Sequence, residues 1–434
     1  MTDSVDVVVV GAGAAGIGVG AALSHLDVDF VVIERGEIGE SFRGWPDEMR
    51  FITPSYPSNA FGFPDLNAIV PNTSPAVAFD AQQLSGTMYA EYLEAVAESR
   101  EMTVETGVTV TDIRPTAESA VAMDGGSVTR VDERSTGARR SADRPQNGFV
   151  VETSDGPVRC AFVVWATGEF PSPRTNVFPG ADLCVHNSTI DAWSTHASET
   201  DSDEFIVIGG FESGIDAAIN LAETDCSVTV LDRGHPWALR HPDPSETLSP
   251  HTLQRLEAVR ESDRLRLIGG AVVNGVDAAD DGRFEVCVRP AERDVPNGGR
   301  HAHSDRSSGQ SASGEEWQEY TEDRFRVSAR PILATGFDPT AGIPEELFPI
   351  EDGSIRLSDR DESPDTPGLF LAGPAVAHAG QAFCFIYKFR SRFPVIAETI
   401  GDRLGVDTDA LGIYRNSDMF LDDLSCCDPI DCDC

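Results

Sequence analysis

The chain has 434 residues, 40% of them hydrophobic, which is enough to bury two cores. It carries 72 acidic residues against 33 basic ones, and a formal net charge of −39 excludes nucleic acid and anionic membrane surfaces as partners. The acids are spread along the chain and lysine is almost absent, Lys388 standing alone among arginines, so the composition is that of a cytoplasmic protein from a salt-accumulating cell, where salt screens the self-repulsion. The opening residues have no basic leader pattern, and no apolar run is long enough for a membrane span. Nine cysteines in a chain of this size do not suggest a disulfide scaffold.

Residues 7–36 predict a strand, a glycine turn, a helix rich in small residues and a second strand. The turn reads Gly11-Ala-Gly13-Ala14-Ala15-Gly16, and the second strand ends at Glu34, followed by Arg35. The first glycine permits the sharp turn, the second lets backbone approach a pyrophosphate, and the third lets helix pack on strand. The helix N-terminus then offers free N–H groups, and the acid accepts ribose hydroxyls. Residues 36–55 follow, holding Ser41, Arg43, Trp45 and Thr53. Residues 82–97 predict an amphipathic helix. Residues 115–147, rich in Ser, Arg, Asp and Gly, read as a surface insertion.

A strand ending Ala166-Thr167-Gly168 comes next. Residues 205–234 then repeat the first unit without a gap at an offset of 198, with Gly209, Gly210, Ser213 and Gly214 in the turn and Asp232, then Arg233, at the strand end. One such glycine turn is a weak signal, but two in register, each with its acid, predict two dinucleotide sites. The repeat departs at Phe211, where the middle glycine would stand. Asp232 favours the free 2′-hydroxyl of NAD, whereas Arg233 and Arg240 favour NADP, so the preferred nicotinamide is open. Residues 291–322 read as a second surface insertion, and its His301 and His303 as solvated rather than metal-bound. A strand ending Thr335-Gly336 and another ending at Gly373, followed by Pro374, precede a helix predicted over 389–404. The chain closes with Cys426, Cys427, Cys432 and Cys434.

These motifs resemble the two-dinucleotide-binding-domain flavoproteins: thioredoxin-reductase-like enzymes, bacillithiol-disulfide-reductase-like proteins and flavin monooxygenases. The resemblance covers roughly residues 5–405. Residues 163–168 (VVWATG) and 331–336 (PILATG) look like the two strands where the chain crosses between domains. Residues 368–373 (GLFLAG) look like the late strand beneath the flavin, with Pro374 where many relatives carry a ribityl-binding aspartate. The resemblance implies an α/β fold of two Rossmann-like, three-layer domains, with an NAD(P) domain (171–329) inserted in a discontinuous FAD domain (1–170 and 330–410), and a Cys-rich tail at 411–434. It implies FAD at the first cradle, NAD(P)H at the second, and a homodimer. Residues 36–55 look most like the bacillithiol-disulfide-reductase-like branch, which would place Ser41, Arg43, Trp45 and Thr53 along the isoalloxazine.

The expected reaction is hydride transfer from NAD(P)H to FAD, then to a small-molecule or small-protein disulfide. A thioredoxin-reductase CxxC is absent, as is the C-x4-C of the long-loop relatives. The tail cysteines, similar to the C-terminal dithiols of some flavin reductases, are the expected redox relay, or alternatively one soft-metal site. Two further readings stand beside it. A monooxygenase would need a histidine motif between the domains. Residues 178–193 hold His186 and Trp193 at the wrong spacing, and His186 reads as a satisfied surface histidine. A flavin redox sensor or metal carrier would show little turnover.

Overall fold

The computed structural model describes residues 4–57, 63–116, 148–239, 246–260, 262–291, 323–344, 346–351 and 353–425. Two five-stranded parallel sheets organise it, and they share one layout. In the first, the fully buried strand Val7–Val10 lies between Phe30–Ile33 and Phe162–Trp165, with Val104–Glu105 and Leu369–Leu371 at the edges. In the second, Glu204–Ile208 lies between Ser227–Leu231 and Ile332–Leu333, flanked by Leu265–Ile268 and Val185–His186. Central strands of parallel sheets are covered on both faces, which is why 7–10 and 205–208 are unbroken apolar runs rather than alternating ones.

Each sheet carries the predicted helix directly after its central strand. Ala14–Leu23 is buried at all ten positions, a consequence of its small side chains. Phe393–Leu404 packs closely on it, since a Cβ at Gly18 would fall 2.0 Å from the Phe393 ring. Glu212–Glu223 takes the equivalent place in the second sheet and packs on Pro250–Arg260. Each half also has a three-stranded antiparallel sheet: Val110–Pro115, Phe149–Thr153 and Val158–Cys160 in one, and Ala271–Ala278, Phe284–Pro290 and Arg324–Val327 in the other. Buried apolar residues fall into two clusters, one drawn from residues 5–166 and 343–419, the other from 181–334. The fold is thus two Rossmann-like units, the second inserted in the first. Most of both surface insertions, the histidines His301 and His303, and Arg240 lie outside the described residues.

The helix expected over 82–97 runs from Gly86 to Ser99. Ser85 sets its start by accepting the Met88 N–H, so the capping serine, not the apolar periodicity, fixes the boundary. The helix expected over 389–404 begins earlier, as a short turn Ile386–Phe389 and a tight 3-10 turn Arg390–Arg392 before Phe393–Leu404. Among the described residues, no helix is long and apolar enough to cross a membrane.

Candidate functional site: two glycine cradles

The first cradle is held by sterics that admit only glycine at its ends. Gly11 has φ +101°, and a Cβ there would sit 2.6 Å from the Ala166 carbonyl oxygen. A Cβ at Gly16 would fall 1.8 Å from the Gly11 oxygen, so this residue lets the helix close on the turn. Gly13 differs. It has no atom within 4 Å of a built Cβ, and its own backbone caps the helix at Ala14 without a side-chain hydrogen bond. The open face, the uncapped helix N-terminus and the glycine at its lip form a pocket for an anion. The buried Glu34 completes it. Its Oε2 accepts the Ala12 N–H at 2.7 Å and its Oε1 the Gly36 N–H at 2.9 Å. Those bonds orient a carboxylate that still has lone pairs for hydroxyl donors.

The second cradle repeats this arrangement at the same offset. Gly209 has φ +106° and a built Cβ 2.3 Å from the Ala334 oxygen, and Gly214 would meet the Gly209 oxygen at 1.9 Å. Asp232 Oδ2 accepts the Gly210 N–H and Oδ1 the Gly234 N–H, both at 2.7 Å. Phe211, in place of the middle glycine, is 37% exposed, so its ring turns outward and leaves the backbone path of the turn intact. Gly210 is required for another reason: a Cβ there would strike the buried Trp237 ring at 2.6 Å. Arg35 and Arg233, one residue after each acid, are exposed, and Ser213 is half-buried in the first turn of its helix. Beside it, Glu212 is tied to Ser249 and Thr252, and burial raises its pKa above the ordinary range. Asp216, one turn on, is also raised by burial, against the pull of Arg255 at 2.5 Å.

The remaining candidates divide between these cradles and their surroundings. Ala14 and Ala15 are buried at the first helix start, and Gly373, with φ +115°, brings its backbone across to Ala15, a built Cβ lying 3.3 Å from the alanine methyl. Pro374 follows, half-buried. Ala166 closes over Gly11, and the chain then leaves the first sheet through Thr167 and Gly168. Thr335 and Gly336 mark the return, where Thr335 Oγ1 donates to the Arg174 oxygen at 2.5 Å and the Arg174 N–H to the Gly336 oxygen at 3.0 Å. Ser41 and Thr53 are half-buried, and the Thr53 carbonyl accepts from Asn67 Nδ2. Trp45 packs in an aromatic cluster with Phe42 and Phe51. Arg43 is engaged by Glu94 at 2.5 Å and by the Ile38 carbonyl.

Among the described cysteines, Cys160, Cys184 and Cys226 are buried, and burial pushes the Cys160 thiol up to about 12 and the Cys184 thiol to about 11. Such thiols are inert at neutral pH. Cys426, Cys427, Cys432 and Cys434 lie outside the described residues. His186 corrects one expectation. It is 4% exposed rather than at the surface, with Nδ1 on Ser188 Oγ and Nε2 on the Gly336 carbonyl, and burial lowers its pKa, so it is a neutral structural residue. Trp193 is fully buried in the second core. Residues that sequence reasoning missed include Glu48, which reaches Trp193 and Ser194, and the buried Asp361, which holds His378 at 2.5 Å and Arg392 Nε at 2.8 Å.

The family model for pyridine nucleotide-disulphide oxidoreductases matches residues 8–125 and 140–291, more than half of the chain. The chain belongs to that family. Both cradles fit a dinucleotide on the sterics given above. A curated relative, the bacilliredoxin reductase Bdr of Bacillus subtilis (strain 168), is 28% identical over 149 residues, 34% of this chain and 41% of that protein. The match therefore spans about two fifths of the relative's length. Among solved structures, the bacillithiol disulfide reductase Bdr of Bacillus cereus superposes with a TM-score of 0.60 at 19% identity, covering 92% of this chain and 99% of that one. The ornithine N-hydroxylase of Kutzneria sp. 744 gives 0.63 at 17% identity, over 92% and 100%. At these identities the two structures share the fold.

Proposed function

We propose that this family member takes hydride from NAD(P)H and passes two electrons to a disulfide or another thiol-linked acceptor. The duplicated carboxylate pin carries the reading: Glu34 and Asp232 hold their glycine turns through the same pair of backbone N–H groups in both halves. Residues 1–170 and 330–410 form the FAD-binding domain in this reading, and 171–329 the nicotinamide domain. Gly11, Gly13, Ala14, Ala15 and Gly16 receive the FAD pyrophosphate and Glu34 the adenosine ribose, with Arg35 alongside. Ser41, Arg43, Trp45, Thr53, Ala166, Thr167, Gly168, Gly373 and Pro374 surround the rest of the flavin. Gly209, Gly210, Ser213 and Gly214 receive the nicotinamide dinucleotide, with Asp232 and Arg233 at its ribose and Thr335 and Gly336 at the return crossing. FAD held there would supply the two-electron redox chemistry between nicotinamide and acceptor. The protein's share is position: two anion pockets at helix N-termini and two oriented carboxylates.

The acceptor is argued from the family, from the likeness to the Bdr reductases, and from the tail. The tail root is fixed: the Leu421 N–H donates to the Ser391 oxygen, Arg392 reaches the Leu421 oxygen, and Arg415 holds Asp422 at 2.9 Å. That root abuts the helix packed on the first dinucleotide helix. Cys426, Cys427, Cys432 and Cys434 follow that root, and in this reading they serve as the relay. A disulfide gains two electrons and two protons and leaves as two thiols. The test is NAD(P)H oxidation against a panel of low-molecular-weight and small-protein disulfides, with the Cys426→Ser/Cys427→Ser double variant alongside. Turnover with a disulfide, lost in the variant, supports the relay. Turnover unchanged in a tail-deleted chain refutes it. Oxygen-dependent NAD(P)H consumption with hydroxylated product would make the chain a monooxygenase instead, and stoichiometric soft-metal binding without turnover a carrier.

A further inference from the structure

Among the described residues the chain passes between the two halves twice, and both crossings are built around glycine. Gly168 has φ +68° and Gly336 φ +74°, and neither has an atom within 4 Å of a built Cβ. The crossings lie side by side: Pro173 bridges Phe337, the Arg174 N–H donates to the Gly336 oxygen, and the Asp338 N–H to the Ser172 oxygen. Two adjacent strands define an axis. Two strands alone do not fix the rotation about that axis, so a further contact between the halves bears on the angle between them.

Such a contact exists. The helix Trp193–Glu199 of the inserted half begins at Ala192, which provides no side-chain cap. Its first N–H groups are taken instead by a residue of the other half. Glu48 Oε2 accepts the Trp193 N–H at 2.9 Å, and Oε1 accepts both the Ser194 N–H at 3.0 Å and the Ser194 hydroxyl at 2.7 Å. The neighbouring Asp47 N–H donates to the Asp191 carbonyl at 2.7 Å. A carboxylate taking three hydrogen bonds at a helix start is charge-assisted and fixed in direction. Burial opposes ionisation here, but the bonds from Ser194 and Trp193 win and hold the Glu48 pKa below its ordinary value. The same loop brings Arg50 close enough to act on Asp216, in the dinucleotide helix of the inserted half. The segment that follows the first cradle therefore meets the inserted half at Asp191, Trp193 and Ser194.

We propose that Glu48 is a positioning residue: an interdomain latch that caps helix Trp193–Glu199 in trans and sets the angle at which the nicotinamide cradle faces the flavin cradle. This rests on the assignment of the two cradles given above. Hydride transfer falls steeply with misplacement of the reacting atoms, so losing the latch acts on the transfer step rather than on binding at either cradle.

Anaerobic stopped-flow reduction of bound flavin by NADH, compared among wild type, Glu48→Ala, Glu48→Gln and Ser194→Ala, tests it. Glu48→Ala is expected to slow the limiting reduction rate by about tenfold or more, the scale of effect that a displaced reacting geometry brings, with FAD content and the NADH dissociation constant unchanged. Glu48→Gln, whose amide oxygen still accepts, recovers part of the loss. Ser194→Ala gives a smaller effect that adds nothing to Glu48→Ala in the double variant. Small-angle scattering should show a wider spread of interdomain angles for Glu48→Ala. A Glu48→Ala protein that melts lower yet reduces its flavin at the wild-type rate overturns the latch and leaves the cradle assignment standing. If Glu48→Ala does not fold, Ser194→Ala and Glu48→Gln decide alone, and wild-type rates in both overturn the proposal. A wild type that binds no flavin overturns the cradle assignment itself.

Discussion

At the residue scale, the four end glycines and two acids of the cradles do different work, and substitution separates them. Gly16→Ala places a methyl against the Gly11 carbonyl, so it destabilises the fold by about 1–3 kcal/mol through overpacking. Gly13→Leu meets open space, so the apo-protein keeps its melting temperature while FAD affinity falls by about tenfold or more, the cost of obstructing close backbone approach to a pyrophosphate. Thermal melts and flavin titration check both. Asp232 accepts two backbone N–H groups and repels a ribose 2′-phosphate, so NADH should be preferred over NADPH, and Asp232→Asn should narrow the ratio of the two kcat/KM values. The paired turns and their acids were legible in the sequence because the repeat aligns acid with acid and glycine with glycine. The backbone pins were not, since they depend on turn geometry and not on residue type.

At the element scale, capping and buried charge decide what periodicity could not. Ser85 stands in the sequence as a helix start, and the 86–99 boundary could have been read from it. Glu48 could not, because its helix lies 145 residues away and shows only an absence, an alanine where a cap belongs. The Asp361 cluster is likewise dispersed. Asp361 is fully buried between His378 and Arg392, and Arg392 also anchors Leu421, so one carboxylate ties His378 to the turn that opens helix Phe393–Leu404 and, through Arg392, to the tail root. Asp361→Ala leaves a buried guanidinium unpaired and should cost about 3–5 kcal/mol, read by chemical denaturation. Removing Asp361 and Arg392 together in favour of apolar residues should cost much less, which separates a charge penalty from lost packing.

At the scale of the whole molecule, a net charge of −39 is a destabilising self-repulsion that counterions screen. Melting temperature should therefore rise steeply from dilute buffer into molar salt, and a flat response would contradict the reading of a salt-adapted chain. Composition made that expectation visible, as the repeat made the two-sheet architecture visible. The contact of Glu48 with Trp193 and Ser194, proposed to set the angle between the halves, was hidden because its partners are distant in the chain. The proposed electron path requires both cradles in one polypeptide to be filled and to communicate. The most direct measurement is anaerobic NADH titration of the purified protein in molar salt, following flavin absorbance. The account predicts about one FAD per chain, bleached completely by one equivalent of NADH. A colourless protein that takes up no added FAD, or a bound flavin that neither nicotinamide reduces, would contradict it.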